Sequence, residues 1–168
     1  MKPLVVVSSR TGNTRIIARA LQDAIGECGY VEAASLPTDL EHYDPIVLCF
    51  WCDRGMAPED AVAAAKRIKG KNIACFATLG GNPDSTKAKD WMHKTSLALT
   101  QAGENNVLKL EFLCRGRISP EIFERMTAMS GGQVSPEREA RRKESETHPD
   151  RLDVLAAVEA YRVVFEAK

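Results

Sequence analysis

A net charge is the first thing this chain lacks. Lys+Arg and Asp+Glu both number 23, so the formal charge at pH 7 is zero. With no basic excess there is no electrostatic footprint for nucleic acid or for an anionic membrane surface. Long apolar runs are missing too, and no stretch approaches the length a membrane-spanning helix needs. After Lys2 only Leu4-Val5-Val6-Val7 precedes the polar Ser8, which is too short for a signal-peptide core. The chain is therefore expected in the cytoplasm, with no membrane partner. Its three histidines, His42, His93 and His148, lie far apart and provide no paired metal-ligand spacing. No G-x-S-x-G nucleophile elbow occurs. The five cysteines are odd in number, and Cys49, Cys75 and Cys114 sit inside apolar runs, which argues against a disulfide framework. Cys49-Phe50-Trp51-Cys52 reads C-x-x-C, but a redox dithiol of that form is expected to open a helix. Here Cys49 falls within a strand and Cys52 just past its end, so the pair reads as one buried and one loop cysteine.

What is present is an alternation. Short apolar runs of strand length exchange with segments of helical periodicity, the pattern of a parallel α/β sheet. Strands are expected at Leu4–Ser8, near Val31–Ala34 (an edge), and at Ile46–Trp51, Ile73–Thr78 and Val107–Cys114. The third and fourth are apolar nearly throughout, as strands covered on both faces are. Helices are expected at about Asn13–Cys28, Glu59–Ile68, Asp84–Ala102 and Leu152–Glu166. Gly29 is read as the stop of the first. The apolar face of the last is read as Leu155, Val158, Ala160, Tyr161 and Phe165. An excursion at about residues 115–151 precedes that helix, with a short helix at Pro120–Met129, a Gly131-Gly132 break and a charged helix at Pro136–Ser145. Its alternating charges can serve as a docking face or simply as a solvated surface. The whole, residues 1–168, reads as a single domain.

Chemistry concentrates in Ser9-Arg10-Thr11-Gly12-Asn13-Thr14, between the first strand and the first helix. The first N–H groups of a helix have no intrahelical partner, and the helix dipole adds partial positive charge there. Ser9, Thr11 and Thr14 add hydroxyl donors, and Gly12 lets the backbone close around an anion. A Walker A loop is excluded because neither its glycine pair nor its lysine is present, and a dinucleotide G-x-G-x-x-G because only Gly12 is present. The turn suits a phosphate monoester. The plainer reading is a capped helix after a core strand, with Thr or Asn as the cap. Two further loops should meet this turn at the carboxyl ends of the strands. One is Trp51-Cys52-Asp53-Arg54-Gly55 (with Met56), where Trp51 can stack on a flat ring. The other is Thr78-Leu79-Gly80-Gly81-Asn82, whose glycines admit close backbone approach. A receiver domain would share the topology and place Asp53 suitably, but Ser8-Ser9 stand where its acidic pair is needed.

The [ST]-x-T-G-x-T turn resembles the phosphate loop of flavodoxins. The chain is similar to that family over nearly its whole length, most closely to its short bacterial flavodoxin-domain proteins. The resemblance rests on the motifs Phe50-Trp51-Cys52-Asp53-Arg54-Gly55, Gly70 to Phe76, Thr78 to Ser85, Phe112 to Ile118 and His148-Pro149-Asp150. It implies an α/β/α three-layer sandwich with a five-stranded parallel sheet in the order 2-1-3-4-5. It also implies non-covalent FMN and electron transfer between a reductase and a partner enzyme, by a monomer or weak dimer. Some relatives in this subgroup accompany flavin-dependent reductases, bilirubin reductase among them. By the same analogy Ser9 to Thr14 hold the phosphate, while Trp51 to Gly55 and Thr78 to Asn82 flank the isoalloxazine. In flavodoxins a peptide of the second loop turns its carbonyl toward flavin N5 on one-electron reduction; Asp53-Arg54 or Arg54-Gly55 is the candidate. An electron carrier is favoured over a stand-alone oxidoreductase. Two alternatives stay open: an FMN-dependent NAD(P)H or quinone-type reductase, and a flavodoxin-fold binding module without flavin.

Three features depart from the usual flavodoxin pattern. Asn82 stands where an outer-face tyrosine is common, the chain is neutral where well-known flavodoxins are acidic, and the excursion is unusual. Met126, Met129 or Gly131-Gly132 are candidates to cover the ring. Arg54 is a candidate cation favouring the fully reduced flavin.

Overall fold

In the computed structural model, which describes residues 1–167, the parallel sheet runs β2-β1-β3-β4-β5. Its strands are β1 (Lys2–Val7), β2 (Gly29–Glu32), β3 (Tyr43–Trp51), β4 (Asn72–Leu79) and β5 (Val107–Arg115). The connecting helices are α1 (Asn13–Ile25), α2 (Glu59–Ala65), α3 (Thr86–Ala102), α4 (Pro120–Met129), α5 (Pro136–Ser145) and α6 (Arg151–Phe165). A 3-10 turn at Ala33–Ser35 follows β2.

The apolar runs in the central strands follow from burial on both faces. Side chains alternate across a strand, so Val5, Val7, Val47, Cys49, Ala74 and Phe76 enter one core with Ile17, Leu21, Ala157 and Tyr161 of α1 and α6. Leu4, Val6, Ile46, Leu48, Phe50, Ile73, Cys75 and Ala77 enter the other, with Ala61 and Ala64 of α2 and Met92 and Leu99 of α3. The edge strands lack this double cover, and Val107 is 51% exposed. Phe50 and Phe76 are fully buried, one in each core. Truncating either to Ala removes enough packed volume to cost about 3–5 kcal/mol.

Several boundaries differ from the sequence expectation, each for a local reason. β1 starts at Lys2 and ends at Val7. α1 stops at Ile25, where the Gly26 N–H bonds the Gln22 carbonyl at 3.0 Å. Gly29 instead opens β2, where a Cβ would lie 2.7 Å from Leu4 Cδ1. α2 ends three residues early because its last turn tightens, Arg67 N bonding Ala64 O and Ile68 N bonding Ala65 O. α3 begins after Ser85, whose hydroxyl accepts from the Ala88 N–H at 3.2 Å. On α6 the buried face is Val154, Ala157, Val158, Tyr161 and Phe165, whereas Leu155 is 51% exposed. The bounds of α4 and α5 match the sequence reading, each helix having serine as N-cap and proline in its first turn.

Among the described residues no helix is long and apolar enough to cross a membrane.

Candidate functional site

The three loops singled out in the sequence all leave the carboxyl ends of β1, β3 and β4, where the strand order reverses. The turn after β1 is an open donor array. Ser8 is used structurally: its N–H bonds Cys49 O, and its hydroxyl donates to Asp60 Oδ1 at 2.7 Å, joining β1 to the first turn of α2. Ser9 Oγ accepts from the Arg15 N–H at 3.3 Å. Among the described residues no protein group accepts from the backbone N–H groups of residues 9–14. Gly12, the N-cap residue of α1, has φ +99° and offers no side chain to satisfy them. Neither Thr11 nor Asn13 caps the helix; Asn13 Nδ2 instead donates to Arg117 O at 2.8 Å.

Thr14 is not a freely offered donor, being 1% exposed and hydrogen-bonded through Oγ1 to Thr78 Oγ1 at 2.9 Å. Thr78 is 3% exposed. One hydroxyl donates to the other, and the acceptor's own proton has no partner among the protein atoms. This pair ties the end of β4 to the first turn of α1 and leaves one unassigned donor beside the open N–H groups.

The second loop is a tight turn. Asp53 and Met56 exchange backbone bonds of 2.8 and 2.9 Å, and Arg54 and Gly55 both have positive φ, at 50° and 77°. That is the signature of a type I′ turn. Its first central residue is ordinarily Asn, Asp or Gly, so Arg54 sits there at a conformational cost. The turn is held from outside by Trp91 of α3, whose indole N–H donates to Gly55 O at 3.0 Å. Trp91 also meets Phe50 edge-on, with ring centroids 6.2 Å apart. Trp51 is half-buried, and strand alternation puts it on the Cys49 side of the sheet, opposite Phe50.

The third loop has several of its acceptors engaged. Asn82 O accepts from the Ser85 N–H and hydroxyl, Asn82 Oδ1 accepts from the Asp84 N–H, and Gly81 O accepts from Arg115 Nε at 3.2 Å. Leu79 O accepts from the Gly116 N–H. Gly80 is packed so closely under Ile118 that a Cβ would meet its Cγ1 at 2.7 Å. Gly116 abuts the turn after β1, where a Cβ would lie 2.7 Å from Asn13 Nδ2. The start of the excursion thus braces both loops.

A cavity of about 450 Å³ opens between the second and third loops. Cys52, Gly55, Leu79, Gly81 and Asn82 line it, together with Ser85, Lys87, Ala88 and Trp91 at the start of α3 and Arg141 of α5. Trp51, Asp53, Arg54 and Gly80 are not among its lining residues. Arg54 points outward, its side chain 91% exposed and paired with Asp53 Oδ1 at 3.2 Å. Met126 and Met129 are 53% and 83% exposed and line no part of the cavity. Sequence reasoning missed Trp91 and Arg141. Trp91 carries a faint signal, a large amphipathic ring in an otherwise weakly apolar helix. Arg141 carries none beyond its place in a charged helix.

The cysteines have no redox pairing. Burial pushes the Cys49 thiol far above its ordinary value, and Cys75 and Cys114 up to about 12. Cys52 is raised less: burial lifts it and the Gly55 backbone N–H partly offsets that. At neutral pH all four are thiols, so neither Cys49 nor Cys52 is held as the thiolate a dithiol catalyst uses. His148 Nδ1 lies 2.6 Å from Asp153 Oδ2, beside the reciprocal Asp150–Asp153 capping box that starts α6.

Comparison with known proteins agrees with this architecture. The flavodoxin domain matches as a family over residues 4–162. The flavodoxin-like domain-containing protein BilS of Clostridioides difficile (strain CD3) is 29% identical over 167 residues, covering 94% of this chain and 92% of the relative. BilS of Clostridium symbiosum (strain WAL-14163) is 27% identical over 178 residues, covering 93% and 92%. Among solved structures, general stress protein 14 of Treponema denticola, determined in complex with FMN, aligns with TM-score 0.53 at 13% identity over 95% of this chain and 99% of that one. Two-electron reduced Megasphaera elsdenii flavodoxin aligns with TM-score 0.50 at 19% identity over 66% and 83%.

Proposed function

Because this chain belongs to the flavodoxin family, we propose that it binds FMN non-covalently and carries electrons in the cytoplasm, between a reductase and an acceptor enzyme. The observation that supports this best is the donor array at residues 9–14. Six backbone N–H groups without protein acceptors gather at a helix N-terminus, next to the spare hydroxyl proton of the buried Thr14–Thr78 pair. Such an array suits a phosphate monoester dianion, which accepts many hydrogen bonds and is favoured by the helix dipole.

The ring would occupy the cavity between the second and third loops. Cys52, Leu79 and Trp91 supply apolar contact there, and backbone groups of Gly55 and Gly81 stand at the rim. Bound there, the flavin supplies the electron chemistry, while the protein sets its affinity and potential. The turn at Asp53–Met56 has a specific part. Asp53 O already accepts from the Met56 N–H and Gly55 O from the Trp91 indole, so Arg54-Gly55 is the peptide left to reorient toward the ring. The full chain is taken to act as one domain, its excursion contributing to the wall of the site. The acceptor, by the family resemblance, is a flavin-dependent reductase of the bilirubin-reductase kind.

The test is a titration of the purified protein with FMN, riboflavin and FAD, followed by flavin fluorescence and absorbance. FMN binding at least tenfold tighter than riboflavin is expected from the phosphate array. Failure to bind any flavin at micromolar protein removes the electron-transfer reading and promotes the flavin-free binding module. NADH or NADPH consumption by the loaded protein alone would make it a reductase rather than a carrier.

A further inference from the structure

The excursion brings one cation to the cavity, and its placement is built. Ser145, at the end of α5, is fully buried; its Oγ accepts from the Ile118 N–H at 3.0 Å and donates to Arg142 O at 2.7 Å. Glu144 pairs with Arg115 at 2.9 Å, and the same Arg115 donates through Nε to Gly81 O in the third loop. α5 is therefore strapped to the loop that walls the cavity. Arg141 stands one turn before Ser145, on the same helix face, and lines the cavity together with Lys87. The other arginines of α5 are engaged: Arg142 pairs with Glu139 and Glu146, and Arg138 stacks over Phe123 at 5.5 Å. Among the described residues Arg141 makes no ion pair or side-chain hydrogen bond.

We propose that Arg141 sets the potential of the second electron, its guanidinium at the cavity wall stabilising the extra negative charge of a fully reduced flavin ring. The inference rests on the FMN reading above. In the step concerned, one electron passes from a low-potential one-electron donor to the half-reduced ring. No proton is taken up at N1, so the ring gains one unit of negative charge and the donor is oxidised by one electron. A cation at the wall favours that charge and leaves the neutral oxidised ring nearly unaffected. Arg54 does not serve this purpose. Both side chains are exposed, but Arg54 is charge-compensated by Asp53 and lies outside the cavity, whereas Arg141 lines it without an ion pair among the described residues.

The experiment is a dye-equilibrated redox titration of FMN-loaded wild type, Arg141→Gln, Arg141→Lys and Arg54→Gln. FMN affinity of the oxidised state is read in parallel by fluorescence quenching. Arg141→Gln is expected to weaken the second reduction about tenfold, a midpoint lower by about 59 mV. Oxidised-state affinity should fall by less than the second reduction does, Arg141→Lys should recover most of the loss, and Arg54→Gln should shift the midpoint by less than Arg141→Gln does. The Arg141→Gln shift should also shrink at 1 M salt, where exposed charges are screened over about 3 Å. A loaded Arg141→Gln protein with the wild-type midpoint overturns the proposal, as does a larger shift from Arg54→Gln. A wild type that takes up no flavin fails earlier, in the affinity measurement, and removes the FMN reading together with this one.

Discussion

The Thr14–Thr78 pair allows a quantitative test of how the turn after β1 is held. The two hydroxyls are 2.9 Å apart, and both residues are almost fully buried. Valine has nearly the shape of threonine but no hydrogen-bonding group. Thr14→Val would strand the Thr78 hydroxyl in a dry site, and Thr78→Val would strand that of Thr14. A buried hydroxyl without a partner costs about 1–3 kcal/mol. The double variant has no stranded group, and exchanging both partners for apolar ones is close to neutral. Each single variant should therefore lose about 2 kcal/mol and the double only about 1 kcal/mol, a coupling of about 3 kcal/mol. In urea, with a slope of about 2 kcal/mol/M, each single midpoint falls by about 1 M and the double recovers much of it. Strictly additive losses, with a coupling below about 0.5 kcal/mol, would refute the claim that these hydroxyls depend on one another. The double variant also lacks the spare proton beside the donor array. It should bind FMN more weakly while binding riboflavin as wild type does, if that proton reaches the phosphate.

Three further outcomes follow from other parts of the molecule. Gly12→Ala places a side chain at φ +99°, with no steric neighbour within 4 Å; backbone strain alone should cost about 1 kcal/mol in urea denaturation and selectively weaken FMN relative to riboflavin. Ellman's reagent should label Cys28 and Cys52 in the native protein and leave Cys49, Cys75 and Cys114 unreacted until denaturant is added; FMN should slow labelling of Cys52, which lines the cavity, and not of Cys28. Asp150 is held below its ordinary carboxylate value, first by the Asp153 backbone N–H and also by His148. A depressed value means its stabilisation is complete at neutral pH and is lost as pH falls below about 4. The stability gap between wild type and Asp150→Asn, which caps without titrating, should therefore narrow from pH 6 to pH 3; a widening gap would contradict the sign.

The sequence alone determined the strand and helix order, the parallel sheet and the hydroxyl-rich turn after β1. These rest on local rules. Strands covered on both faces read as unbroken apolar runs, as Ile46 to Trp51 and Ile73 to Ala77 do, and helix faces repeat every 3.6 residues. The donor array at Ser9 to Thr14 depends on a helix starting where its N–H groups are free, which is equally local. What lines the cavity was decided only by tertiary structure. Sequence reasoning chose Trp51 and Arg54 because they belong to the second loop, and in the fold neither lines the cavity, whereas Trp91 and Arg141 do. Strand pleat decides the orientation of Trp51, and the Asp53 pairing decides that of Arg54. Trp91 reaches the second loop because α3 packs beside it in the Phe50 core. Arg141 reaches the third because Arg115 and Ser145 strap α5 to Gly81 and Ile118. Such contacts join residues dozens of positions apart, and no period or local motif records them, because they are set by where whole elements come to rest.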